Sequence, residues 1–256
     1  MIDYTLVIVI FIFCLYLFIY KSQFSIEQFQ TQDPIDQVLS NQVIKLNDLK
    51  YGQVDQITIN FAKTHPIKSF PLPLPLQEIL SPPLNLSQQT IKELDFLIET
   101  TKNVTDKQYL NIESYEKDVL FEFINYCKNN KLFYDQKYLE QVRDDVRALC
   151  LQLKLIYNRP RPYQLGYYIR KNITPRTIIT SINPSYPSYK TLLAKTLANV
   201  LSYNNPKQST DLHTIAKEVE LSRLLGGFNY PSDNSASLQI AAIIKKYIKY
   251  LEIPQK

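Results

Sequence analysis

The stretch Ser222-Arg223-Leu224-Leu225-Gly226-Gly227-Phe228-Asn229-Tyr230-Pro231-Ser232-Asp233 decides how the rest of the chain is read. An arginine and a carboxylate bracket a Gly-Gly turn, and a Tyr-Pro step leads into the next helical run. A glycine pair lets backbone amides approach an oxyanion closely, and an arginine gives that oxyanion a forked donor. The segment therefore reads as half of a phosphate-type pocket.

Two blocks upstream carry matching chemistry. Lys154 ends a helical run and is followed by Asn158-Arg159-Pro160-Arg161-Pro162, so one cation comes from a helix and another from a loop. Alone, this pattern reads as basic side chains reaching to solvent. Ser185-Tyr186-Pro187-Ser188-Tyr189-Lys190 stands at a predicted helix start, where amides and the Ser188 hydroxyl favour an anion. Alone, it reads as an ordinary Pro/Ser cap.

The periodicity around these blocks is helical. Asn85, Ser87 and Thr90 offer caps before Ile91, Leu94, Leu97 and Ile98, and Thr90 with Glu93 fits a capping box. A second helix is expected from Asp106 to Cys127. A third spans about 136–157, where Leu139, Val142, Val146, Leu149, Leu153 and Ile156 recur in steps of three and four. Pro160-Arg161-Pro162 ends it. Three more helices are expected over about 188–203, 209–224 and 232–251. Six helices with little strand signal predict an all-α bundle.

In this order, the three blocks resemble the motifs of the type 2 phosphatidic acid phosphatase and vanadium haloperoxidase superfamily. Those motifs are a lysine, six residues and Arg-Pro; then Pro-Ser-Gly-His; then Ser-Arg, five residues, a histidine, three residues and an aspartate. Lys154 with Arg161-Pro162 matches the first at full spacing, Pro187-Ser188 matches half of the second, and Ser222, Arg223 and Asp233 match the third. Tyr189 stands where the second motif has glycine, Lys190 where it has histidine, and Asn229 where the third has histidine. Flanking text, Ile79-Leu-Ser-Pro-Pro and Asn85-Leu-Ser-Gln-Gln-Thr, is similar to the soluble-domain branch, and the resemblance covers about 79–251. It implies a helical bundle of the acid phosphatase/haloperoxidase type. It also implies a phosphate site at Lys154, Arg161, Ser188, Tyr189 and Arg223. The catalytic positions are then Asn229 for the nucleophile, Lys190 for the general acid, and Asp233 to orient the nucleophile.

In the family the third-motif histidine attacks phosphorus. Asn229 cannot, because its amide nitrogen lone pair is delocalised into the carbonyl. Losing the nucleophile of a coupled catalytic unit costs on the order of a millionfold. Lys190 is a candidate acid if neighbouring cations depress its pKa. Lys154, Arg161, Lys190 and Arg223 would give the pocket as many as four cations, and Asp233 is expected to pair with one of them. Such a pocket favours phosphate or vanadate, with no metal and no other cofactor expected. The leading expectation is an inactive phosphatase-like protein that keeps an anion pocket. Two alternatives stay open: a phosphoester hydrolase working through Lys190, and a non-catalytic adaptor that displays surfaces to a protein partner. Restoring histidine at 190 and 229, with glycine at 189 if needed, is expected to restore hydrolysis.

Composition bounds these readings. A length of 256 residues with 45% hydrophobic content suits one membrane segment and one folded domain. The net charge of +5 is spread along the chain without a basic run, which argues against nucleic acid as a partner. Cys14, Cys127 and Cys150 fit no zinc or redox spacing and read as reduced thiols, and His65 and His213 are too few for histidine-rich metal chemistry. His65 is expected to be solvated in a loop, and His213, well upstream of Arg223, to pack or to face solvent. Ile2–Tyr20 is almost wholly apolar, broken by Asp3 and Thr5, and as a helix would reach about 28 Å, close to the hydrocarbon thickness. It has no basic start or small-residue cleavage site, so it reads as a single-pass anchor, with Lys21 weakly favouring a cytoplasmic domain. The expected organisation is an anchor at 1–21, a polar, proline-rich stalk or strap at 22–78, the helical domain at 79–251 and a tail at 252–256.

Overall fold

The computed structural model describes residues 34–79, 81–176 and 182–250; the segment read as an anchor and the tail lie outside them. The chain divides into two units, residues 1–45 and 46–256. The described part of the first is the beginning of α1, Pro34–Asn47. Among the described residues all regular structure is helical, and no helix is long and apolar enough to cross a membrane.

Among the described residues of the second unit there are nine further α-helices: α2 (Gln56–Thr64), α3 (Gln88–Lys102), α4 (Asp106–Lys117), α5 (Val119–Asn129), α6 (Gln136–Tyr157), α7 (Pro162–Tyr168), α8 (Tyr189–Asn204), α9 (Ser209–Leu225) and α10 (Pro231–Tyr247). The expected bounds of α6, α8 and α9 hold to within a residue. Three differences have local causes. The helix expected from Asp106 to Cys127 is two, because Asp118 adopts an extended backbone and its carboxylate accepts the Leu120 N–H at 2.9 Å, capping α5. Ser87, not Thr90, caps α3, its hydroxyl accepting the Thr90 N–H at 3.2 Å. Glu93 is thereby freed from the capping box and turns inward. The Pro160-Arg161-Pro162 run, expected only to end α6, also begins α7, since Pro162 at the first helical position gives up no hydrogen bond.

The core lies around α8, which packs against α5, α6, α9 and α10. Leu192, Leu193, Leu197, Ala198 and Leu201 are buried on successive faces of α8, as expected of a helix enclosed on all sides. Leu139, Val142, Val146 and Leu149 of α6 join them, with Val219 of α9 and Ile240 and Ile244 of α10.

Residues 56–79 lie against this bundle. The apolar run Gln56–Phe61 is helical and packs on α6, and Phe70 and Leu74 alternate with the prolines to enter the main core. Asp145, fully buried on α6, holds the segment. Its carboxylate accepts the Lys68 and Ser69 N–H groups at 2.9 and 2.7 Å and the Ser69 hydroxyl at 2.5 Å, and lies 2.7 Å from His65 Nε2. His65 is therefore not a solvated loop histidine. A buried carboxylate needs partners, and this ring is one of them.

Candidate functional site

Four segments meet where the three sequence blocks converge: the α6–α7 turn, the start of α8, the α9–α10 turn and the end of α4. At the first, Asn158 takes a left-handed conformation (φ 46°) and closes α6 through its N–H to Lys154 O. The chain then turns inward, burying both Arg159 and Arg161. At the third, Gly227 has φ 70°, and the Gly226 and Gly227 N–H groups bond Ser222 O and Leu224 O at 2.9 and 3.0 Å. The glycine amides thus finish α9 rather than face an oxyanion. A Cβ at Gly226 would fall within 2.2 Å of the Phe228 ring, so close packing also requires glycine there.

Every predicted site residue reaches this region, and apart from Tyr189, which packs on the core and lines the cavity, each has polar partners within the protein. Lys154, 1% exposed, donates to Pro184 O and to Ser185 O at 3.2 Å. Burial, reinforced by the charge of Arg161, lowers its pKa to about 7. Arg161 donates to Asn183 O at 2.9 Å, to Phe228 O at 3.0 Å and to Asn183 Oδ1 at 3.1 Å. Ser188 Oγ lies 2.9 Å from Thr191 Oγ1, and its N–H bonds Asp233 O at 3.3 Å. Arg223 stacks over Phe228 and donates to Glu116 Oε2 at 2.6 Å.

Asn229 fills the centre. Its amide nitrogen donates to Ser185 O at 2.8 Å and to Asp233 Oδ2 at 3.2 Å, while its oxygen lies 3.4 and 3.5 Å from Arg223 and Arg161. Asp233 pairs with none of the four expected cations. Its partner is Arg159, at 2.7 Å, with further bonds from the Ser185 hydroxyl and from the Tyr230 N–H at 2.9 Å. Arg159 also lies over the Tyr230 ring at 3.8 Å and faces Glu93, which accepts from the Ser232 N–H and hydroxyl at 3.0 and 2.8 Å. Arg159, just before Pro160, thus outcompetes Lys154, Arg161, Lys190 and Arg223 for this carboxylate. It is fixed by stacking and by two carboxylates at once.

Lys190 takes the least expected position. Its ammonium donates to Tyr115 O at 3.0 Å and to Glu116 O, and lies 3.6 Å from Glu116 Oε2. It caps the negative end of α4, which the break at Asp118 leaves with unpaired carbonyls. Burial, then the charge of Arg223, lowers its pKa to about 8.

In front of these groups lies a cavity of about 440 Å³, with Lys117, Arg143, Arg147, Lys154 and Lys190 in its wall against the single carboxylate of Asp55. Tyr189 and Asn183 also line it. Arg143 is bound to Asp144 at 2.9 Å, and Arg147 lies over the Phe61 ring at 4.8 Å. Arg161 and Arg223 are not in that wall; they sit behind it, engaged with the protein. Sequence reasoning missed Glu116, Arg159, Arg143 and Arg147. The spacing of Arg143 and Arg147, four residues apart on α6, is the one signal that could have placed them on a common face.

Elsewhere, burial pushes Cys127 and Cys150 each up to about 11, which makes them inert thiols. Lys195 Nζ lies 3.2 Å from His213 Nδ1, away from the cavity. Among the described residues no group of three or more His, Cys, Asp or Glu side chains is placed to hold a metal ion.

No protein-family model matches the chain, and no curated protein does. Among solved structures it is similar to a bacterial vanadium-dependent iodoperoxidase, with a TM-score of 0.51 and 14% identity over 69% of this chain and 55% of that one. It is also similar to a transmembrane PAP2 type phosphatidylglycerolphosphate phosphatase from Bacillus subtilis, with a TM-score of 0.46 and 16% identity over 61% of this chain and 82% of that one. At such identities the likeness is one of fold. The helical fold shared with the iodoperoxidase is the all-α bundle that the sequence predicts.

Proposed function

We propose that this chain is a catalytically inactive, phosphatidic acid phosphatase-like protein that keeps a cavity for a phosphate-like oxyanion and is anchored to a membrane by Ile2–Tyr20. The observation that carries the reading is Asn229. It occupies the nucleophile position, and its amide nitrogen is committed to Ser185 O and Asp233. A nitrogen without a lone pair to share cannot attack phosphorus, and that loss alone is worth on the order of a millionfold. The basic wall supports the binding half of the reading, because lysine and arginine side chains around a cavity favour an oxyanion. The anchor rests on the apolar run and on its length.

A second reading, a hydrolase using Lys190 as acid or nucleophile, has in its favour the depressed pKa of that lysine and its place on the cavity wall. Against it, the ammonium is spent on Tyr115 O, Glu116 O and the Glu116 carboxylate. The two readings separate in one assay. The full-length protein should hydrolyse a generic phosphomonoester no faster than its Lys154→Ala/Arg223→Ala variant. Turnover that disappears in that variant would defeat the inactive reading. Its further loss in Lys190→Ala would establish the second.

A further inference from the structure

Glu116 is the buried charge that neither the motifs nor the expected site accounts for. It lies on the last turn of α4, 2% exposed, and its carboxylate accepts from Arg223 at 2.6 Å with Lys190 at 3.6 Å. Two buried cations around one oxygen-bearing anion is the arrangement a phosphate would otherwise complete. The same carboxylate bars a second anion from that place, since like charges in a low-dielectric interior repel strongly. Further out, Lys117 and Arg147 are exposed residues of the cavity wall, neither forms an ion pair among the described residues, and the buried Lys154 lines the same wall. We propose that Glu116 is a built-in oxyanion, holding the place between Arg223 and Lys190 that a ligand would take, so that an external anion is received one layer outward by Lys117, Arg147 and Lys154. This assignment rests on the anion-binding half of the function proposed above.

The test uses the full-length protein and inorganic phosphate, with ionic strength held constant by chloride. Glu116→Ala vacates the inner place and removes its charge. Phosphate should bind it about tenfold or more tightly than the wild type, as expected for regained charge-assisted hydrogen bonds. Phosphate should also raise its melting temperature more than it raises that of the wild type. Glu116→Gln keeps the volume and an acceptor for Arg223, so it folds without added anion. With only the repulsion removed, it should bind phosphate a few-fold more tightly. Lys117→Ala with Arg147→Ala should weaken phosphate binding about tenfold in the wild type and less in the Glu116→Ala background. The assignment is overturned if both Glu116 variants bind phosphate no more tightly than the wild type. It is equally overturned if the wall variant binds as the wild type does, or if the wild type binds none. No arm of this experiment reads turnover, so its failure leaves the inactivity of the protein to the hydrolysis assay.

Discussion

Lys154 and Lys190 are ammonium groups almost wholly buried at the cavity wall, and their titration follows from that. Burial with the charge of Arg161 brings Lys154 from 10.5 to about 7, and burial with the charge of Arg223 brings Lys190 to about 8. Their folded values lie below their unfolded ones. Between about pH 7 and 9 the unfolded chain therefore binds more protons, and stability rises with pH. The slope should reach at most about 1.4 kcal/mol per pH unit for each lysine. The Cys127 and Cys150 thiols from about pH 9, and Tyr186 and Tyr189 above about pH 10, oppose the trend, because burial raises them and they ionise first in the unfolded chain. Urea unfolding between about pH 7 and pH 9 measures the slope, and Lys154→Met should remove about half of it. A profile that is flat or falling across that window would mean that the two ammonium groups are solvated.

Asp145 shows what one buried carboxylate does for a whole segment. Burial would raise its pKa, but the hydrogen bonds from Ser69, His65 and Lys68 overcome this and lower it. Asp145→Ala should destabilise the fold by about 3–5 kcal/mol, because it leaves the converging donors unpaired. It should also make the chain around 65–75 a site of early proteolysis, while Asp145→Asn, which keeps an acceptor, should cost less. Limited proteolysis with mapped cleavage sites, alongside unfolding curves, measures both. Such long-range pins leave no local pattern. Helix α6 was legible because Leu139, Val142, Val146 and Leu149 repeat at helical spacing over many turns. The run Gln56–Phe61 is too short to distinguish helix from strap by periodicity. The break at Asp118 was hidden because Asp is tolerated in a helix interior and is strongly preferred only as a cap.

Across the molecule, the motif positions were legible because fixed spacings on helices and tight turns carry Lys154, Arg161, Lys190, Arg223 and Asp233 to one place. What they do there was not, because the partners that occupy them, Glu116, Arg159 and Glu93, lie on other elements and look like ordinary charged residues. One consequence concerns repair. Asp233 is hydrogen-bonded to the Asn229 side chain and would hold an imidazole at that position, yet Glu116 still occupies Arg223. This corrects the expectation that the two histidines alone restore hydrolysis: Lys190→His with Asn229→His should remain at background phosphomonoesterase activity, and adding Glu116→Ala should raise it. Activity in the double variant that equals the triple would mean that Glu116 does not obstruct the pocket.

The central claim, that the site receives an oxyanion and does not attack it, is tested most directly by oxygen exchange between phosphate and water. An attacking nucleophile forms and hydrolyses a covalent phosphoenzyme even when phosphate is the only ligand, and so scrambles its oxygens with solvent. Full-length protein saturated with ¹⁸O-labelled phosphate should leave the label in place as long as protein-free buffer does. Label loss that grows with protein concentration and vanishes in Lys154→Ala/Arg223→Ala would contradict the account.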